Sequence, residues 1–569
     1  MKFYGGLFLI GAVLNIVLGW HAWPGVFAGN LNDPDSYMRL LRIEQGIHLG
    51  HLTNMVSRDG GGAGVMVEWS RLLDMVLWLM AAPLAIILGW HKALFIAGVA
   101  TGPLSVGLLG AALAFAARPF AEDGLLWSAP VAAAVLPGLL VFATPGTVHY
   151  HILLAALIAL SVGFVIRAWR GETWFGFMAG IFGGLAIWLT PETMPFILLG
   201  FAPLLYRWTQ RPFGAVAACC GAGLFDMIGF ALAIDPPRGG YAVAQIDRLS
   251  VVYAALGFAV MLGAGILWRL ERWPNGWRRN AAGIGAMVGL IALWIAAFPN
   301  VVLGPYGLMS PADMQRFFGA MTEMMPLHGI SQLVQFLLPG LLALLYAVWR
   351  GVRPGGSWLW LYLAFCILLS MVLADMFTLF VEFPALVAAG LVPVLLSAAS
   401  QLYRRRPAAQ GAARIFVIAA MLLLPSLPAL AGLRMAAHPG GPSCSLRHIN
   451  NLLGGDRNSI VLAEADATPE LLYRTKVQAV GSLFQHGVPA YLMARDAWRS
   501  IPGSVEPDAV AATGARLVLF CPGPQRSVLV SDLPATTLWD VLQAGQPPRW
   551  LTLRNQDPST GWQVFVIQH

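Results

Sequence analysis

The chain has 569 residues, 58% hydrophobic and only 11% charged, with a mean hydropathy of +0.68, so most of it is not a water-soluble globule. Its formal charge of +7 does not point to nucleic acid, because the basic residues sit in short clusters between apolar segments, as topology signals do. The apolar runs are too long and uniform for barrel strands, and in lipid every backbone amide needs an internal partner, which leaves a polytopic α-helical membrane protein.

The first segment, "MKFYGGLFLIGAVLNIVLGW", begins like a signal peptide, but its apolar run is long and no small-x-small cleavage site follows. It reads as a retained first span, 5–26. Directly after it comes "LNDPDSYMRLLRIEQGI", 31–47, an unusual concentration of charge for this chain. Asp33 followed by Pro34 is a good helix start, with Asp as N-cap and Pro at the first helical position. Capping does not account for Asp35, nor for Arg39 and Arg42, four and seven residues further on and on the same helical face. Two carboxylates at a helix start beside arginines can hold a divalent cation and an anionic ligand. The glycine-rich "RDGGGAG", 58–64, reads as a mobile linker, and the apolar stretch 72–90 either enters or lies along the outer face without crossing, or is itself a span in place of another segment.

Twelve further spans follow, at 93–117, 126–143, 150–168, 174–191, 193–207, 213–233, 249–270, 280–300, 331–349, 356–374, 377–399 and 413–432. The short loop before the 150–168 span carries "TPGTVHYHI", in which His149 and His151 alternate and project to one side, a geometry suited to one metal, the alternative being two interfacial histidines without one. The loop of about thirty residues before the 331–349 span carries Glu323 among methionines. Long loops over a membrane scaffold commonly bear catalytic groups. Glu192, Asp226, Asp375 and Glu382 fall near span ends, where interfacial anchoring is their ordinary role.

The basic loops at 167–172, 206–211, 269–280, 349–356 and 403–407 should be cytoplasmic. With thirteen spans and an inner N-terminus, residues 27–92, 144–149, 301–330 and the tail then share the outer face. From about residue 436 the composition changes to β-rich runs such as "SIVLAEA", "ARLVLFC" and "GWQVFVIQH" with helical stretches between them. The chain thus divides into a membrane domain, 1–435, and an extracytoplasmic α/β domain, 436–569. In an oxidising compartment Cys444 and Cys521 of that domain are candidates to pair.

In order and sidedness these motifs resemble the catalytic subunit of oligosaccharyltransferase, within the GT-C class of membrane glycosyltransferases that use polyprenyl-linked sugar donors. Asp33, Pro34 and Arg39 match its Asp-Pro-x-x-x-x-Arg motif. "GTVHYH" fits its Gly-x-x-acid-x-acid motif, with His149 and His151 at the acidic positions. "AMTE" ends in Glu323 where the family carries a late-loop glutamate. "EWSRLLD", 68–74, and "WLTPETMPF", 188–196, look like further landmarks.

The resemblance implies an inverting transferase of the inner membrane, its C-terminal domain periplasmic, moving a sugar or glycan from a polyprenyl-phosphate-type donor to a glycan, lipid or protein acceptor. Asp33, His149, His151 and Glu323 would hold a divalent cation, Mn or Mg, with the softer histidine donors shifting preference toward Mn²⁺ or Zn²⁺. Arg39 or Arg42 would grip phosphate, and Glu323 or Asp35 would act as base. Within "LLYRTKVQAVGSLFQHG", 471–487, Arg474 and His486 are candidates to face the acceptor, the alternative being an ordinary solvated helix and strand.

The sequence also departs from the family. It has no Trp-Trp-Asp-Tyr-Gly acceptor motif, which argues against Asn-x-Ser/Thr protein glycosylation. The late-span arginine that grips a diphosphate is missing around 374–384, which favours a monophosphate-linked donor. Two other readings compete: a lipid-linked oligosaccharide flippase or transporter, and a metal-independent polymerase or ligase.

Overall fold

A computed structural model of the chain describes residues 2–304, 309–428, 444–523 and 526–568. Eight of the thirteen expected spans are helices long and apolar enough to cross a bilayer, among them Trp90–Phe120, His151–Ala168 and Thr378–Leu402. The expected 331–349 span is a pair, Gly329–Phe336 and Leu338–Val352, bent by 51°. The other four are shorter apolar helices: Lys2–Leu18, Ser128–Val135 followed by Pro137–Leu140, Thr173–Leu189 and Met194–Gln210. Pro137 lacks the amide that would continue the Ser128–Val135 helix, which is why the 126–143 segment is broken. The stretch 72–90 forms the helix Leu72–Leu88, which packs along Trp90–Ala117 after a break at Gly89, whose φ of +76° suits glycine.

Outward-facing residues of the helix Trp277–Ala297, including Ile284, Val288 and Leu293, are exposed and apolar, the pattern of a helix that meets lipid. The molecule is a polytopic helical membrane protein with a C-terminal α/β sheet domain. The boundary expected at 435/436 lies outside the described residues.

The tail holds a five-stranded sheet. Labelling the strands of the chain in order, β1 (Met55–Val56) and β2 (Val65–Met66) form a small hairpin in the first loop. The tail then supplies β3 (Arg457–Leu462), β4 (Lys476–Ala479), β5 (Leu517–Phe520), β6 (Leu551–Gln556) and β7 (Gln563–Ile567). Their order is β4-β3-β5-β7-β6, with β3 parallel to β4 and β5, and β7 antiparallel to β5 and β6. The helix Thr468–Arg474 crosses from β3 to β4, as a parallel pair requires. A Cys444–Cys521 disulfide ties the start of the domain to the end of β5.

Two expectations about how the tail joins the membrane part need correction. The 58–64 stretch is a docking loop, not a mobile linker. Arg58 donates to the carbonyls of Leu472 (2.6 Å), Thr475 (2.8 Å) and Val477 (3.1 Å), and the Ala479 amide donates back to Arg58 O at 2.9 Å. Asp59 is fully buried and accepts from Ser482 Oγ. Glycines here permit the turn around 60–62, while Arg58 and Asp59 beside them bond to the tail, Asp59 also accepting from the Gly60 amide at 2.8 Å. The second correction concerns Arg474, which does not face an open site. It is held by Glu470 (2.6 Å), Asn30 Oδ1 (2.8 Å), Gly29 O (3.0 Å) and Tyr37 Oη (3.1 Å), and so clamps the tail to the first loop.

Candidate metal and transfer site

The loop around Asp33 and the 144–149 loop are stitched together by short hydrogen bonds. Asp33 caps the helix Pro34–Leu49, its Oδ1 accepting from the Ser36 amide and its Oδ2 from Ser36 Oγ, both at 2.8 Å. Ser36 Oγ in turn accepts from the Val148 amide at 2.7 Å. Asn32 reaches Pro145 O (2.8 Å) and Thr147 Oγ1 (2.9 Å). Gly146 opens the second motif at φ +92°, a conformation other residues adopt only under strain, and its carbonyl receives the Asn32 amide at 3.1 Å.

That framework brings His149 Nε2 to 3.0 Å from Asp33 Oδ1. His151 starts the next helix, its ring stacked between Phe142 at 4.0 Å and Tyr150 at 4.4 Å. Glu323 enters from the late loop, in a single 3₁₀ turn, Thr322–Met324. One ligand atom each from His149, His151 and Glu323 lie within 4.8 Å of one another. Two ligands on opposite sides of one ion are separated by roughly 4 Å, twice a bond of about 2 Å, so the three need close only slightly to share a cation. Asp33 lies outside that group of three and supports it through His149.

Electrostatics follow from burial in an acid-rich place. Burial pushes the Asp35 carboxyl up to about 7; His149 opposes the rise, while Glu323 and Asp33 reinforce it. Burial alone would pull the His149 imidazole down, but the Asp33 charge and hydrogen bond outweigh it and hold it up at about 9. Burial also raises Asp33, yet His149 and the Ser36 hydrogen bonds bring its carboxyl below the ordinary value. Glu68 is lifted to about 7, mainly by burial and further by Asp247.

A cavity of about 220 Å³ opens beside these groups. Asp35, Glu68, Glu192, Asp247, His151 and Glu323 line it, with Met321, Met324 and Phe377 on an apolar side and Leu483, Phe484 and Gln485 contributed by the tail. Among the described residues, Arg248 is the one arginine in its wall. It pairs with Asp235, which also accepts from Trp188 Nε1 at 3.0 Å and the Arg71 amide at 2.8 Å, and its buried Nε has no hydrogen-bond partner.

Arg39 and Arg42 are not there, a correction to their expected phosphate grip. They are 2% and 0% exposed, and both bind Asp74, at 3.1 and 2.5 Å. Arg39 lies 4.3 Å over the Trp69 ring, so the pair builds the wall behind Trp69 without reaching the cavity. His486 is bonded to the cavity wall, 2.7 Å from Asp247 Oδ2, and so is not free to hold an acceptor.

Sequence reasoning missed Arg248, Asp247 and Glu68, and it placed Glu382 at the interface. Glu382 is 2% exposed, and its Oε2 lies 3.3 Å from His151 Nδ1. The available signal was chemical: a carboxylate inside an apolar segment is expensive unless something nearby needs it.

No protein-family model matches the sequence, and none of the curated proteins matches it. Solved structures do. The chain is similar to the archaeal oligosaccharyltransferase AglB from Archaeoglobus fulgidus in complex with an inhibitory peptide and a dolichol-phosphate, at TM-score 0.69 and 13% identity, over 91% of this chain and 69% of that one. It is also similar to the oligosaccharyltransferase of that organism tethered to an acceptor peptide containing the NVT sequon (TM-score 0.66, 14% identity, 91% and 69% covered). The same enzyme in complex with Zn and sulfate matches at TM-score 0.61 and 14% identity, over 90% and 67%. The fold is that of an oligosaccharyltransferase-like GT-C membrane glycosyltransferase. At this identity the likeness is one of architecture.

Proposed function

We propose that the chain is an inverting membrane glycosyltransferase that moves a sugar or glycan from a polyprenyl-phosphate-type donor to an acceptor hydroxyl or amide at the outer face of the membrane. The observation that carries this reading is the convergence of His149, His151 and Glu323, from two distant loops, with Asp33 bonded to His149, and with His151, Glu323 and Asp35 lining one cavity. The solved relative with dolichol-phosphate supports a lipid-phosphate donor, and the Cys444–Cys521 pair supports an oxidising compartment for the tail. Thirteen spans with an inner N-terminus remain the topology that best fits the basic loops.

His149, His151 and Glu323 would hold the divalent cation, with Asp33 orienting His149. Their two nitrogens and one carboxylate suit Zn²⁺ or Mn²⁺. When bound, such an ion offsets the charge developing on a departing phosphate. Arg248, with one N–H unused, takes the phosphate contact in place of Arg39 and Arg42. Asp35 lines the cavity and accepts no hydrogen bond from the described residues, so its carboxylate is free to take the proton of an attacking hydroxyl. The tail closes the cavity with Leu483–Gln485 and thereby limits which acceptors enter.

A transfer assay in membranes, with and without EDTA, tests the proposal on wild type, Asp33→Ala and Glu323→Ala. Activity of the wild type should disappear on chelation and return with Mn²⁺ or Zn²⁺, and both variants should fall by about 100-fold or more, the range seen when a charge-stabilising group is removed. Full activity in both variants removes the site.

A further inference from the structure

We infer that Glu382 is a positioning residue for His151: by accepting the Nδ1 proton it presents the other ring nitrogen to the centre formed with His149 and Glu323, and makes that centre prefer Zn²⁺ or Mn²⁺ over Mg²⁺. This rests on the metal reading of the site given above.

The argument begins with two buried atoms that lack partners. Glu382 opens the helix Glu382–Leu402 and is 2% exposed, and its Oε2 makes no hydrogen bond among the described residues. His151 is 3% exposed, and its Nδ1 is also without one. These two atoms lie 3.3 Å apart. Burying a polar atom unpaired is costly, and neither atom has another partner among the described residues, so their 3.3 Å contact is where each is satisfied. Placing a proton on Nδ1 leaves Nε2 with its lone pair available for a ligand role.

The surroundings permit little else. Phe142 and Tyr150 flank the His151 ring at interplanar angles of 19° each, so the ring cannot turn without displacing an aromatic neighbour. On the other side, a Cβ at Gly138 would stand 2.7 Å from Val381 O and 2.9 Å from Ala385 Cβ, so the start of the Glu382 helix is pressed against Pro137–Leu140 and its place is set. With both backbones held, the tautomer is the remaining freedom, and Glu382 decides it. Such a carboxylate behind a histidine ligand orients the ring and raises its basicity, which strengthens borderline-soft cations more than hard oxygen-seeking ones.

The test is metal binding by purified full-length protein, using competition against a chromogenic chelator for Zn²⁺, Mn²⁺ and Mg²⁺, together with the visible spectrum of the Co²⁺-loaded protein. Wild type, Glu382→Ala, Glu382→Gln, His149→Ala, His151→Ala and Glu323→Ala are compared. Glu382→Ala should lose about 10- to 100-fold in Zn²⁺ affinity, change Mg²⁺ binding little, and shift the cobalt bands. Glu382→Gln, whose carbonyl can still accept the Nδ1 proton in the same volume, should recover much of the loss, which a general packing defect would not explain. If His151→Ala weakens Zn²⁺ while both Glu382 variants bind it like wild type, Glu382 does not position the ligand. If wild type binds none of these ions, or His149→Ala, His151→Ala and Glu323→Ala all bind like wild type, the metal reading itself fails, and this inference with it.

Discussion

Asp33 and His149 meet at 3.0 Å across 116 residues of sequence, and that contact joins the start of the helix Pro34–Leu49 to the 144–149 loop. Ser36 reinforces it by bonding both Asp33 and the Val148 amide. Asp33→Ala removes a helix cap worth about 1 kcal/mol as well as the partner of His149. Thermal unfolding should fall by a few degrees, and sugar transfer by far more than that loss of stability explains. Asp33→Asn keeps the cap and should restore the unfolding temperature without restoring transfer. Recovery of both by Asn would mean that the carboxylate charge is not used.

Arg39, Arg42 and Asp74 form a buried triad. Asp74→Ala leaves two guanidinium groups without their carboxylate, a loss of about 3–5 kcal/mol that should show as poor recovery of folded protein in membranes. Arg39→Lys should lower stability because a point charge cannot both pair with Asp74 and lie flat on Trp69. Its KM for the lipid donor should stay near the wild-type value. A large rise in KM at normal stability would return Arg39 to phosphate binding.

The pair His486–Asp247 links the tail to the loop before Val251–Leu270. The hydrogen bond to Asp247 raises the His486 imidazole above its ordinary 6.5; burial opposes the shift, and the Asp247 charge adds to it. A raised imidazole stabilises the folded state fully below 6.5, and that contribution fades as pH climbs through the higher folded value. Melting temperature should therefore decline from about neutral pH upward, and His486→Gln should flatten that decline. An identical profile in the variant would show that the pair carries no proton-linked stability.

Cys444 and Cys521 close a loop of 77 residues. Alkylation of the unfolded, unreduced protein should label only Cys219, Cys220 and Cys366, with two more thiols appearing after reduction. Cys521→Ser should destabilise the tail by about 2–5 kcal/mol. Five reactive thiols before reduction would place the tail in a reducing compartment.

The residues that meet at the candidate centre could be singled out because they carry short local signals: a capped Asp-Pro turn, alternating histidines ahead of an apolar helix, and a glutamate in a long loop. Other features depended on partners that no local pattern names. Helical spacing put Arg39 and Arg42 on one face with Asp35, but Asp74, from a different helix, decides where the guanidinium groups point. Composition made 58–64 look mobile, and the carbonyls at the end of the Thr468–Arg474 helix and in β4 override it. The strands β5 and β7 fell within the runs that suggested them, and β3 overlaps its run over Ser459–Leu462. The cavity arginine went unnoticed because Arg248 sits in a polar connection where charge is unremarkable, and only the fold turns it inward.

Leu472, Tyr473, Ala479 and Phe484 belong to the same apolar cluster as Leu40, Val67 and Leu73 from the first outer loop and its following helix. The soluble-looking part of this protein is therefore seated in the rest as a keystone is in an arch. Produced by itself it would present a greasy underside to water and self-associate, and a chain cut before it would leave the cavity without the wall that Leu483, Phe484 and Gln485 supply.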